Sequence, residues 1–214
     1  MKGLKRSLLY WGNIMEKYFF SIFFVILVMS AVMEILQSGE GLKMIPVYVP
    51  MVGIIAVMVQ ASGNISYNLP QAISFGATRK ESLIGMEVFT HIIVVQVMII
   101  MALCAKYIPN PTEIDNAELF PIYAVLFLFT CGASNAVCAA TMRFGNKVGT
   151  CIYMIYLLLI VFLVIGIIVA GSSFGNIRFW LIEYSGWGAI AAVIFDVVMI
   201  GCCAKAIRKF EVRV

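Results

Sequence analysis

Apolar residues run along this chain in long unbroken stretches separated by short polar breaks. Six stretches stand out, near 18–36, 45–66, 83–105, 121–141, 149–171 and 187–205. Each approaches the roughly 20 residues that an α-helix needs to cross a bilayer. None shows the short alternating segments of a membrane barrel. All six prolines (Pro46, Pro50, Pro70, Pro109, Pro111, Pro121) fall at the edges of the runs, where a missing backbone donor does least harm to a helix in lipid. Two shorter stretches follow another pattern. Leu4, Leu8, Trp11, Met15 and Tyr18 line one helical face while Lys5, Arg6, Asn13 and Lys17 lie elsewhere, which predicts an amphipathic N-terminal helix lying in the membrane plane with Trp11 at the interface. The polar segment "NLPQAISFGATRKESLIG", residues 68–85, predicts a short helix over 69–82, with Asn68 as cap and Pro70 in the first turn. The expected fold is an all-α integral membrane protein: one domain, 1–214, with six transmembrane helices, the N-terminal amphipathic helix, and a short helix between spans two and three.

Composition agrees with that solvent. Hydrophobic residues make up 63% of the chain and charged residues 12%, against roughly 25% charged in soluble domains. Lys2, Lys5 and Arg6 before an apolar run look like a secretory signal. The run is longer than a signal's apolar region and precedes five more, so it reads as the first span. An even number of spans puts both termini on one side. Placing them in the cytoplasm leaves only Lys43, Lys106 and Arg178, of fifteen Lys and Arg, outside, as the positive-inside rule requires. The net charge of +4 then needs no nucleic-acid partner.

Few residues carry candidate chemistry. The six cysteines (Cys104, Cys131, Cys138, Cys151, Cys202, Cys203) lie within or at the ends of spans without metal-ligand spacing, and read as packing residues. No motif for a hydrolase, zinc site or phosphate-binding loop is present, so no catalytic residue and no metal or cofactor site is expected in this chain. His91 lies four residues after Glu87, a pair expected to be satisfied locally. Asp196 stands mid-span on a face with Gly188 and Ala192. A charge there costs roughly 2.5–3.5 kcal/mol, so it should be paired, protonated or wetted; an interhelical hydrogen bond and a transport pathway both fit. Gln60, Gln96 and Asn135 are the other candidate intramembrane polar positions. Replacing Asp196 with Asn is expected to impair assembly or stability more than it alters any pH dependence of transport. Thr130, Ser134, Cys138 and Thr141 form a small-residue stripe on the fourth span, suited to close packing within the chain or at a subunit interface.

Segment 69–82 has two readings. One is an interfacial helix whose Arg79 and Lys80 meet anionic lipid headgroups; the other is a docking helix for a cytoplasmic protein. "ISFGATRKE", between the second and third spans, resembles the cytoplasmic turn of small six-span permease subunits of bacterial ABC exporters, and the span layout and basic tail "AIRKFEVRV" fit the same resemblance. It implies a coupling helix that inserts into a separate ABC ATPase subunit, two copies per transporter, which supplies ATP and Mg. Leu69, Ile73 and Phe75 would form its apolar contacts, with Phe75 as the knob. Gly76 would permit close approach, Arg79 and Lys80 would meet acidic ATPase residues, and Glu81 matches the family's acid. The resemblance further implies a homodimer or heterodimer with a related permease, surrounded by lipid in a bacterial cytoplasmic membrane. The chain itself would be a non-enzymatic exporter subunit for an amphipathic or apolar cargo (short peptide, drug or lipid). Two alternatives are an ion-coupled secondary transporter or channel using Asp196, and a non-transporting membrane scaffold.

Overall fold

The computed structural model describes residues 2–38, 45–64, 68–107, 116–173 and 182–208. The expected loops around 39–44, 108–115 and 174–181, and the tail beyond 208, lie outside the described residues. Seven α-helices and no strands occur among the described residues: α1 (Lys2–Ser38), α2 (Ile45–Gly63), α3 (Leu69–Ser74), α4 (Arg79–Tyr107), α5 (Asn116–Phe144), α6 (Asn146–Ser173) and α7 (Ser185–Ile207). Four of them, α1, α4, α5 and α7, are long and apolar enough to cross a membrane; α2 and α6 contain the shorter apolar stretches Tyr48–Gln60 and Asn146–Ile160.

Three local expectations change. The amphipathic segment is not a separate in-plane helix but the start of α1, which runs unbroken for 37 residues. Trp11 is fully buried rather than interfacial. Its ring lies over Gly85 of α4, where a methyl group would sit 3.1 Å from Trp11 Nε1 and 2.8 Å from Ser7 Oγ. Burial in a tight crossing outcompetes the interface for this side chain. Pro50 and Pro121 lie inside α2 and α5, within the first two turns of each, and α5 begins five residues before its apolar run does.

α5 occupies the centre, packed by α2, α4, α6 and α7, and its interface with α7 is the most extensive among the described residues. The stripe Thr130, Ser134, Cys138 and Thr141 is buried within this chain, with Thr141 against Gly149 of α6; contacts to α7 come from neighbouring positions. Val125 faces Gly188, Gly132 faces Phe195, and the Cys203 thiol donates to the Asn135 carbonyl at 3.0 Å. Positions rise together along both helices, so α5 and α7 run parallel. A methyl on Gly132 would lie 2.5 Å from Phe195 Cδ1 and 3.1 Å from the Asp196 Cα. Gly132→Val is therefore expected to push α7 outward and cost about 1–3 kcal/mol, read as a lower thermal midpoint in detergent.

The start of α1, α3, the start of α4 and the end of α7 meet at one end of the bundle. Ser7 Oγ donates to the Glu81 carbonyl (2.9 Å), Tyr10 OH to the Asn68 carbonyl (3.2 Å) and to Gln71 Oε1 (3.1 Å), and Arg79 Nη1 to the Arg208 carbonyl (3.1 Å). Because α5 and α7 are parallel, the α5–α6 turn lies at this end too. Exposed Lys5, Arg6, Arg79, Lys80, Arg143, Lys147, Lys205 and Arg208 make it basic.

Candidate functional sites: a braced polar turn and a buried polar cluster

The expected coupling helix is shorter than its sequence pattern suggests. α3 spans only Leu69–Ser74; a turn at Phe75 and Gly76 follows, and Arg79, Lys80 and Glu81 open α4. Asn68 does not cap α3: its backbone is already helical, and its amide donates to Asn64 Oδ1 at 3.0 Å. Pro70 does take the expected first-turn place. The helix stops because Gly76 adopts φ +87°. In that conformation Gly76 N–H reaches the Ile73 carbonyl (3.0 Å) and Ala77 N–H the Ala72 carbonyl (3.2 Å), the paired bonds of a Schellman ending. No heavy atom lies within 4 Å of a would-be Cβ on Gly76. Within this chain its role is conformational, and the space beside it is open. Gly76→Val is expected to cost roughly 1–2 kcal/mol, the penalty for a side chain in the left-handed region, read as earlier proteolysis within 74–80.

Glu81 also has a local task. Its Oε2 accepts from Thr78 N–H (3.0 Å) and Thr78 OH (2.8 Å), while Thr78 Oγ1 accepts from Glu81 N–H (3.2 Å). This is a reciprocal capping box that starts α4. Leu69 is fully buried and Ile73 half-buried, so Leu69 is core and not contact surface. Arg79 is exposed but spends one donor on Arg208. The large apolar side chain this segment presents outward is Phe75, 70% exposed with its ring 5.7 Å from Tyr10, beside exposed Lys80 at the start of α4.

The second site lies inside the bundle. Glu87 and His91 on α4, Asn135 on α5 and Asp196 on α7 form one hydrogen-bonded cluster. Asn135 Nδ2 donates to Glu87 Oε2 and to Asp196 Oδ1, both at 3.0 Å. His91 Nε2 lies 2.9 Å from Asp196 Oδ2, and His91 Nδ1 lies 2.8 Å from the Glu87 backbone carbonyl. The expected local Glu87–His91 pair is thus replaced: the ring meets its helix neighbour only at the backbone and gives its other nitrogen to α7. Asp196 is paired, as a mid-span carboxylate must be, and α7 is joined to both α4 and α5. Glu87 is eight residues past Arg79, about 12 Å along the axis, so the cluster lies within the apolar part of the bundle.

The ring geometry has a chemical consequence. A carbonyl oxygen only accepts, so His91 Nδ1 carries hydrogen. The 2.9 Å contact between Nε2 and Asp196 Oδ2 then needs a second proton between them. Whether that proton belongs to the ring or to the carboxyl, the pair is neutral as a unit.

Of the four polar positions singled out in the sequence, the structure joins Asn135 and Asp196 in this cluster. Gln60 is buried on α2, and Gln96 lies nine residues beyond Glu87 on α4, with a buried Oε1 that has no hydrogen-bond partner. Sequence reasoning undervalued Glu87. The available signal was a carboxylate inside an apolar run, four residues past its start. All described cysteines are free, with Cys131, Cys138 and Cys203 buried in packing roles. No cluster able to hold a metal ion occurs among the described residues.

The fold and sites define an all-helical chain with the makings of a membrane protein, braced at one basic end and polar inside. No family model matches it, and no curated protein or solved structure shows significant similarity to it.

Proposed function

We propose that this chain is the permease subunit of an ATP-driven ABC exporter in a bacterial cytoplasmic membrane. It crosses the membrane six times, with α2 and α6 completing the four longer spans and both termini in the cytoplasm. It pairs with itself or a related permease, and each copy engages an ABC ATPase through the turn after α3. ATP and Mg act on that ATPase; this chain performs no catalysis. The cargo is amphipathic or apolar, such as a short peptide, drug or lipid.

One observation carries the reading. Phe75, a large apolar side chain, stands exposed at the basic end on a turn that is stiff and directly wired to the helices. The Schellman ending and the capping box fix its backbone on both sides. Ser7 and Tyr10 tie the segment to α1, and Arg79 ties it to α7. A push on Phe75 would therefore move α1, α4 and α7 together instead of bending a loop, which is what coupling to an external motor demands. A turn that only touched lipid headgroups would not need this bracing. The surrounding lysines and arginines suit an acidic groove on the partner as well as anionic lipid.

The test is a mild-detergent purification of the chain from its native membrane. Recovery of an ABC ATPase in near-stoichiometric amount supports the proposal, and a stable chain recovered without one counts against it. The buried cluster favours a second reading, an ion-coupled secondary transporter or channel; transport that persists without any ATPase would support that instead. A non-transporting scaffold would form the same complex with no cargo movement.

A further inference from the structure

The cluster on α4, α5 and α7 leaves one polar atom unaccounted for. Glu87 is 9% exposed, and its Oε2 is taken by Asn135. Its Oε1 is buried with no hydrogen-bond partner. Both amide hydrogens of Asn135 are already committed, one to each carboxyl, so no donor in the cluster remains for Oε1. The His91–Asp196 pair is neutral as a unit, as the ring geometry requires. An ionised Glu87 would therefore give the whole cluster a net charge of −1, with one of its oxygens unsolvated. A protonated Glu87 gives zero.

We infer that this cluster is a proton-binding site and that the bound proton resides on the Glu87 carboxyl, on Oε1. The exchange is simple: the carboxylate takes H+ from hydronium to become a neutral carboxyl and leaves water, with no redox partner. His91 is the member that reaches the surface of the chain, with a side chain 39% exposed. It is hydrogen-bonded to Asp196, and Asn135 holds Asp196 and Glu87 on either side of its amide.

The other groups around the cluster do not change its charge. On α5 and α7 the nearby titratable groups are the thiols of Cys131, Cys138 and Cys203. α6, packed on α5, contributes Tyr156. The described part of α2, packed on α4 and α5, carries no charged residue. α1 packs on α4 and carries Glu16 and Lys17 exposed. No group of side chains arranged to hold a metal ion occurs among the described residues. A proton is the ligand whose size and charge this arrangement fits.

Proton binding also bears on packing. Asn135 is the amide through which Glu87 and Asp196 meet. With Glu87 neutral, it bridges α4 and α7 without like-charge repulsion; loss of the proton sets the extra charge across one amide from Asp196. This holds whether or not an ATPase docks at Phe75, so each idea can fail alone.

The experiment is infrared difference spectroscopy of the full chain in lipid vesicles, titrated with pH in H2O and D2O. It compares wild type, Glu87→Gln, Asp196→Asn and the exposed control Glu16→Gln. The expected result is a protonated-carboxyl C=O band that shifts in D2O and disappears as pH rises. The part of that band carried by Glu87 should be lost in Glu87→Gln and persist in Asp196→Asn and Glu16→Gln. Absence of any such band in the wild type overturns the inference, as does a wild-type band that Glu87→Gln leaves undiminished. If Glu87→Gln fails to fold, Asp196→Asn decides: loss of the band there assigns the proton to Asp196 and overturns it, while retention supports it.

Discussion

Replacing Phe75 with Asp is expected to abolish recovery of the ATPase while leaving the chain folded in the membrane. The backbone at this position takes part in the stop of α3, with Phe75 N–H bonded to the Gln71 carbonyl at 3.0 Å, and Asp can keep that bond. The side chain is 70% exposed, and its described ring contact is with Tyr10, so its loss removes little from the fold. At an interface the effect differs. An exposed apolar anchor that fills a partner's pocket typically contributes 2 kcal/mol or more, about 30-fold in affinity. The new carboxylate would also meet the acidic residues expected opposite Lys80. Co-purification and size-exclusion chromatography together read both halves of the expectation. A normal elution profile with unchanged ATPase recovery would sink the docking assignment. Arg79→Glu is a poorer probe, because it also breaks the link to Arg208 between α4 and α7.

Asp196 gives the second large effect, and here the geometry revises the sequence-based expectation. Asparagine at 196 can accept from Asn135 with its oxygen and donate to a neutral His91 Nε2 with its amide, which preserves both contacts without charge. Asp196→Asn is therefore expected to stay near wild-type stability. Asp196→Leu leaves His91 Nε2 and one Asn135 N–H without partners between packed helices. Interhelical hydrogen bonds in membranes are modest singly, at about 0.6 kcal/mol and up to 1.7. Breaking a buried pair on one side alone costs more, about 3–5 kcal/mol. The expected loss for Asp196→Leu lies between these, about 2–3 kcal/mol, measured by denaturant titration in mixed micelles. Equal destabilisation by Asn and Leu would show that the cluster is not wired as described.

The two sites were legible in the sequence to different degrees, for a physical reason. The polar turn is made by neighbours in the chain. Pro70 in the first turn, Gly76 at the stop and Thr78 with Glu81 at the next start all act within three to six residues. Local spacing therefore announced the turn. It overextended the helix to 82 because the sequence pattern of 69–82 does not show that Gly76 takes a left-handed φ and ends it. The capping role of Glu81 was also available, since T-x-x-E is a local signature.

Sequence by itself determined the apolar character of the protein, its helical class and its long apolar runs, because each depends on runs of composition or on short-range spacing. Only the tertiary structure decided the partners. Trp11 left the interface for Gly85, Leu69 became core, and His91 turned from Glu87 to Asp196, 105 residues away. In a lipid-facing chain both buried and outward faces are apolar, so helical periodicity carries almost no record of which face meets which helix. That information resides in the register of α4, α5 and α7, which their packing sets through Gly132 and the small residues around it.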